Sequence, residues 1–79
     1  MNKITHYIDK EGNVVIDATI DNNTFGIVLK PRILDGIAHI KRQNIDTRGL
    51  DNPEDIKNLI ISTITTQRGK YNEVPLIVE

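Results

Sequence analysis

The sequence has no cysteine and no tryptophan, and only one serine, two alanines and three prolines among its 79 residues. Without cysteine there is no disulfide framework, no thiolate zinc site and no cysteine nucleophile. Ten basic side chains stand against eleven acidic ones, a formal net charge of -1. That balance argues against nucleic acid as a dedicated partner, since such domains are strongly basic. No apolar run approaches the roughly 18 residues that a membrane-crossing helix needs. Met1-Asn2-Lys3 leads into no apolar segment, so no secretory signal is expected, and the expected location is cytoplasmic: the host cytoplasm, or a virion for a phage-encoded chain. The five glycines are dispersed and form no phosphate-cradling loop. Ser62, the lone serine, lies within a helical stripe rather than at a nucleophile elbow. No nucleophile, base and orienting group can be named together, so no enzyme and no cofactor are expected. With two histidines and no cysteine, no metal site is expected either.

What the chain does have is β-branched bulk. Fourteen isoleucines favour strands, because branching at Cβ restricts χ1 in helices and packs well on a pleated surface. Ile4, His6 and Ile8 alternate with Thr5, Tyr7 and Asp9; Val14, Ile16, Ala18 and Ile20 alternate with Val15, Asp17, Thr19 and Asp21; Phe25, Ile27 and Leu29 alternate with Thr24, Gly26, Val28 and Lys30. Three such period-two segments predict a three-stranded antiparallel meander. A three-residue loop with Gly12 in the left-handed position sets Ile8 against Val14, His6 against Ile16 and Ile4 against Ala18. A two-residue loop at Asn22-Asn23 sets Ile20 against Phe25, Ala18 against Ile27 and Ile16 against Leu29. Both turns put the apolar residues on one face, which a slip of one residue would destroy.

From Pro31 the spacing of Ile33, Ile37 and Ile40, with Leu34 and Ala38 beside them, predicts a first helix. The rival is a hairpin turning at Asp35-Gly36. The helix is preferred because the hairpin leaves His39, Lys41 and Gln43 opposite little that is apolar. Asn44 to Asp51 reads as a loop through Gly49. Asn52-Pro53-Glu54-Asp55 starts a second helix: Asn52 can cap, Pro53 suits the first position, and two acids face the positive helix end. Its buried stripe is Ile56, Leu59, Ile60, Thr63 and Ile64, and Gly69 suits its C-terminal cap between Arg68 and Lys70. Val74 to Val78 reads as a short strand that Pro75 confines to an edge. The expected fold is α+β: one small domain over residues 1–79, a three-stranded antiparallel meander followed by two helices and a short C-terminal strand.

Four residues are candidates for contact with other molecules. His6 shares the apolar face, where its ring could pack or touch a small ligand. Thr5, Tyr7 and Val15 lie on the opposite face, which could be a solvated surface or an interaction surface. Asp46, Asp51, Glu54 and Asp55 lack calcium-loop spacing and read as loop and capping acids. Lys41-Arg42 with Arg48, and Arg68 with Lys70, are small basic clusters without interleaved aromatics.

The segment Ile56 to Gly69 resembles part of the small baseplate-wedge, or sheath-initiator, proteins of contractile phage tails. The shared features are an amphipathic helix ending in a threonine, two residues and a glycine, then a proline six residues on; Thr66, Gly69 and Pro75 stand at those positions. The family follows its proline with an aromatic residue and glycine, where this chain has Leu76 and Ile77. The resemblance implies a structural protein that assembles with wedge partners. The residues themselves favour a non-enzymatic protein-binding module, such as a phage or mobile-element accessory or inhibitor protein. It would dock on a macromolecular partner or self-associate, offering a sheet edge for strand addition, with Ile4 to Ile8 the natural outer strand. The alternatives are the tail-baseplate component and a small-ligand binder.

Overall fold

The computed structural model describes residues 2–66 and 75–79. Strands β1 (Lys3–Ile8), β2 (Val14–Ile20) and β3 (Asn23–Leu29) form an antiparallel sheet in the order β1-β2-β3, called sheet A. Strands β4 (Arg32–Leu34), β5 (Ile37–Ile40) and β6 (Leu76–Val78) form sheet B in the order β4-β5-β6. β4 and β5 are antiparallel, and β6 joins β5 in parallel. A 3-10 turn at Arg42–Asn44 and one helix, α1 (Pro53–Thr66), lie between β5 and β6.

The first hairpin pairs Ile8 with Val14, His6 with Ile16 and Ile4 with Ala18, the register expected from its turn. Gly12 holds φ +83, Asp9 N–H donates to Asn13 O at 2.9 Å, and Gly12 N–H donates to Asp9 O at 3.1 Å. Asp9 also accepts the N–H groups of Glu11 and Asn13 on Oδ1, at 2.9 and 2.8 Å.

The second hairpin turns one residue earlier than expected, at Asp21-Asn22, whose φ values of +51 and +69 are those of a type I′ turn. Its ladder runs Ile20–Asn23, Ala18–Phe25, Ile16–Ile27 and Val14–Leu29. Moving the turn by one residue moves each partner by two, so every side chain stays on its expected face. The observed pairing gives Val14 a full partner in Leu29; the expected one would have set it against Pro31, which has no N–H to share.

Residues 32–40 are a hairpin, not the expected first helix, and the structure has one helix among the described residues instead of two. Asp35 at φ +52 and Gly36 at φ +75 make the Asp-Gly turn, pairing Leu34 with Ile37 and Ile33 with Ala38. The three-to-four spacing of the isoleucines is coincidental to burial. Ala38 and Ile40 are buried at period two, while Ile33 and Leu34 are exposed. A left-handed Gly36 costs a hairpin nothing, whereas a helical glycine costs about 1 kcal/mol relative to alanine.

Helix α1 begins at Pro53 with Glu54 and Asp55 in its first turn, as the sequence predicts. Asn52 sits at φ +53 and contributes its carbonyl, accepting Ile56 N–H at 3.1 Å. Thr47, itself buried, donates its hydroxyl to Pro53 O at 2.8 Å and ties the preceding loop to the helix start. Thr63, Thr65 and Thr66 return their hydroxyls to the carbonyls of Leu59, Ile61 and Ser62 at 2.7–2.8 Å, which satisfies β-branched residues in a helical end. The expected cap at Gly69, with Arg68 and Lys70, lies outside the described residues, as does Val74. β6 spans Leu76–Val78 at an end of sheet B, and Pro75 contributes only its carbonyl, to Ala38 N–H at 2.9 Å.

One apolar core joins these pieces. Ile4, Val14, Ile16, Ala18, Ile20, Ile27 and Leu29 come from sheet A; Ala38, Ile40 and Leu76 from sheet B; Ile45 from the loop; and Ile60 and Ile64 from α1. Helix α1 packs against β1 of one sheet and β6 of the other.

Two stability measurements check this arrangement. Ile16→Ala empties a fully buried site and is expected to cost about 2–5 kcal/mol, against under about 1 kcal/mol for Thr19→Ala on the outer face. Gly36→Ala distinguishes hairpin from helix by sign. Open space surrounds Gly36, so the loss of about 1 kcal/mol expected in denaturant unfolding comes from φ +75 alone, whereas a helical Gly36 would gain about that much.

Candidate functional site

The outer face of sheet A is built by β2, the central strand. Pairing sets Tyr7 beside Val15 and Val15 beside Val28, an apolar row across all three strands. Tyr7 is 39% exposed and Val28 63% exposed, while Val15 between them is half-buried. The next row is Thr5, Asp17 and Gly26; the third is Lys3, Thr19 and Thr24, in which the two threonine hydroxyls lie 3.3 Å apart. The structure thus brings together Thr5, Tyr7 and Val15, the residues expected to form an interaction surface, and adds Val28 as the most exposed of the set. The period-two reading placed Val28 on this face; only the pairing register shows that it extends the Tyr7–Val15 row.

His6 is on the other side. It is 2% exposed, on β1 within the face that α1 covers, with Ile16 as its cross-strand neighbour. A small ligand could reach it only by displacing core contacts.

The hydrogen-bond alternation of sheet A decides which backbone groups of its outer strands face outward. Asp9 and Asn13 exchange a bond across the first hairpin, so the odd-numbered residues of β2 bond towards β1 and the even-numbered ones towards β3. The odd-numbered residues of β3 therefore bond to β2, while Thr24, Gly26 and Val28 direct their N–H and C=O groups outward. Ile4 and His6 on β1 both hold partners. Among the described residues both β1, which holds the expected edge Ile4 to Ile8, and β3 pair only with β2, and β3 is the longer of the two.

Charge gathers elsewhere. Two adjoining clefts, of about 510 and 370 Å³, share Lys41, Gln43 and Glu79. The first adds Arg42, Glu54 and Lys57; the second adds Lys30, Arg32 and His39. Arg42 donates to Glu54 and to Asn58 Oδ1 at 2.6 Å, joining the 3-10 turn to α1. Glu79 Oε1 accepts from Arg32 at 3.4 Å and lies 3.0 Å from His39 Nδ1. Arg48, expected to cluster with Lys41 and Arg42, turns instead to Asp46 in a two-pronged contact of 2.9 Å on each side. Among the described residues three carboxylates titrate below their ordinary values for local reasons: Asp9 through the Asn13 N–H, Glu54 through Arg42, and Asp46 through the Arg48 guanidinium, which holds it at about 2. Among the described residues no three histidine, aspartate or glutamate side chains converge to hold a metal ion, and no helix is long and apolar enough to cross a membrane.

Comparison of the chain with protein-family models, with curated proteins and with solved structures found no match.

The Asp46–Arg48 pair sets an acid-limb expectation. A carboxylate lowered in the folded state stabilises it above the ordinary value of 3.8, and that contribution is lost as pH falls through about 2. Carbon-detected titration is expected to place the Asp46 midpoint near 2, with Asp46→Asn removing this proton uptake; a midpoint at the ordinary 3.8 would mean that the pair does not persist in solution.

Proposed function

We propose that this chain is a non-enzymatic cytoplasmic module that docks on a protein partner through the outer face of sheet A. The observation that carries this reading is the exposed row Tyr7–Val15–Val28, bordered by the polar row Thr5–Asp17–Gly26. Three adjacent strands make a patch about 10 Å wide, apolar at its centre and polar at its rim. That is the composition of a recognition surface, with tyrosine among the residues enriched at such interfaces. Docking needs only this shape and chemistry. Catalysis would need a converged set of nucleophile and base, for which the described side chains offer no candidate.

A second reading rests on the sequence resemblance to contractile-tail baseplate proteins, whose helix-ending threonine, glycine and proline fall at Thr66, Gly69 and Pro75. A baseplate part would use the same face for its wedge neighbours, and incorporation into tail particles separates it from an accessory or inhibitor protein.

The expected outcome of substitution is a split between folding and binding. Val28→Asp and Tyr7→Ser should leave stability within about 0.5 kcal/mol, as surface changes usually do. A protein that co-purifies with the parent chain should be lost from both variants, be retained by Ser62→Ala on the exposed side of α1, and slow amide exchange along the Tyr7–Val15–Val28 row. Retention of the partner by both face variants would overturn the assignment.

A further inference from the structure

We propose that two copies of the chain pair β3 against β3 in antiparallel fashion about a two-fold axis at Gly26, extending sheet A to six strands. This deepens the docking reading by naming a second copy as the occupant of the β3 edge of sheet A. Three observations converge on it.

The first is the unused backbone. Thr24, Gly26 and Val28 present their N–H and C=O groups outward by the alternation of sheet A, and among the described residues nothing covers them. All three are exposed. An antiparallel partner of the same parity satisfies them as a ladder: Gly26 faces Gly26 of the second copy, and Thr24 faces the second copy's Val28 at both ends of the pairing.

The second is the absence of protection. Edge strands are ordinarily guarded by lysine, proline, a bulge or an inward-pointing charge. β3 reads Asn-Thr-Phe-Gly-Ile-Val-Leu: seven paired residues without a charge, a proline or a break in register. The other end strands are shorter or guarded. β1 carries Lys3, β4 carries Arg32 and spans three residues, and β6 follows Pro75 and also spans three. Gly26 adds room at the axis, since two glycines let the backbones meet without side chains between them.

The third is charge complementarity, which selects a second copy over an arbitrary strand. With Gly26 on the axis, Lys30 falls opposite Asn22 of the second copy, in the turn whose other central residue is Asp21. Symmetry repeats the contact at the other end. Lys30 and Asp21 are exposed, and neither has an oppositely charged partner among the described residues. The strand thus has a neutral middle with opposite charges at its two ends, and antiparallel pairing brings each Lys30 towards an Asp21. A parallel pairing would put like ends together.

Sedimentation and amide exchange of the full chain across concentrations up to about 1 mM test the pairing. The expected result is a monomer–dimer equilibrium in which Thr24, Gly26 and Val28 amides slow with rising concentration, while Phe25 and Ile27, already bonded to β2, do not change. Gly26→Pro deletes an outward N–H that the monomer does not use, and a Cβ there meets Asp17 and Ile16 only at ordinary 3.7 Å contact. This variant is expected to stay monomeric with β1–β2 pairing intact. Lys30→Glu, beyond the ladder, should weaken the dimer at least several-fold, with the deficit shrinking as salt rises. A parent chain that is monomeric throughout, or edge amides whose exchange ignores concentration, overturns the dimer. Loss of a partner through Val28→Asp in such a monomer would leave the docking function standing.

Discussion

Two isoleucine side chains carry the helix into the core that both sheets share. Ile60 and Ile64, one turn apart on α1, are both fully buried, and the helix that carries them touches β1 of sheet A and β6 of sheet B. Neither sheet has a second layer of its own, and three strands need an apolar cover to persist in water. The helix supplies that cover for both at once. Burying a side chain of this size is worth about 1.5–3 kcal/mol, a large part of the margin available to a chain of 79 residues. The loop before the helix is recruited to the same end: Ile45 enters the core and Thr47 fastens Pro53, so the helix start is fixed by a hydroxyl as well as by its own sequence.

With the inner face of sheet A committed to the core, its outer face and the β3 edge are offered to other molecules among the described residues. β2 determines both. Its even-numbered side chains Val14, Ile16, Ala18 and Ile20 point inward, and its odd-numbered ones align Val15 with Tyr7 and Val28 outside. The same parity sends its odd-numbered backbone bonds to β1 and its even-numbered ones to β3, which turns alternate groups of β3 outward, unused among the described residues. One strand thus generates an apolar row on the sheet's surface and an unprotected ladder at its border, adjacent to each other at Val28.

Charge follows a different logic. Lys30, Arg32, Lys41, Arg42 and Lys57 line two adjoining clefts in which, among the described residues, only Glu54 and Glu79 are acidic, although the whole chain carries a slight negative charge. Arg42 bridges the 3-10 turn to α1, and Glu79 holds Arg32 and His39 beside the parallel strand. These contacts are largely exposed and therefore modest individually. Their common effect is to brace the joints between β5, the turn, α1 and β6.

Alternation and turn chemistry made sheet A legible from residues alone. Strand identity, the first register and the division into inner and outer faces follow from period-two spacing, because a slip of one residue would bury Asp17 and expose Ile16. The start of α1 at Pro53 was equally legible from its proline and acids. Other features were not. Placing the second turn at Asp21-Asn22 required knowing that Val14 takes Leu29 as its partner. Residues 32–40 carry a spacing that suits a helix, and they became a hairpin because β5 takes a parallel partner, β6, from the far end of the chain, burying Ala38 and Ile40 at period two. Sequence reading could not foresee that partner, nor the burial of Ile45 in a polar loop, since both depend on contacts between distant segments. Local side-chain patterns determine which face of an element is apolar; only the assembled core decides which elements share it.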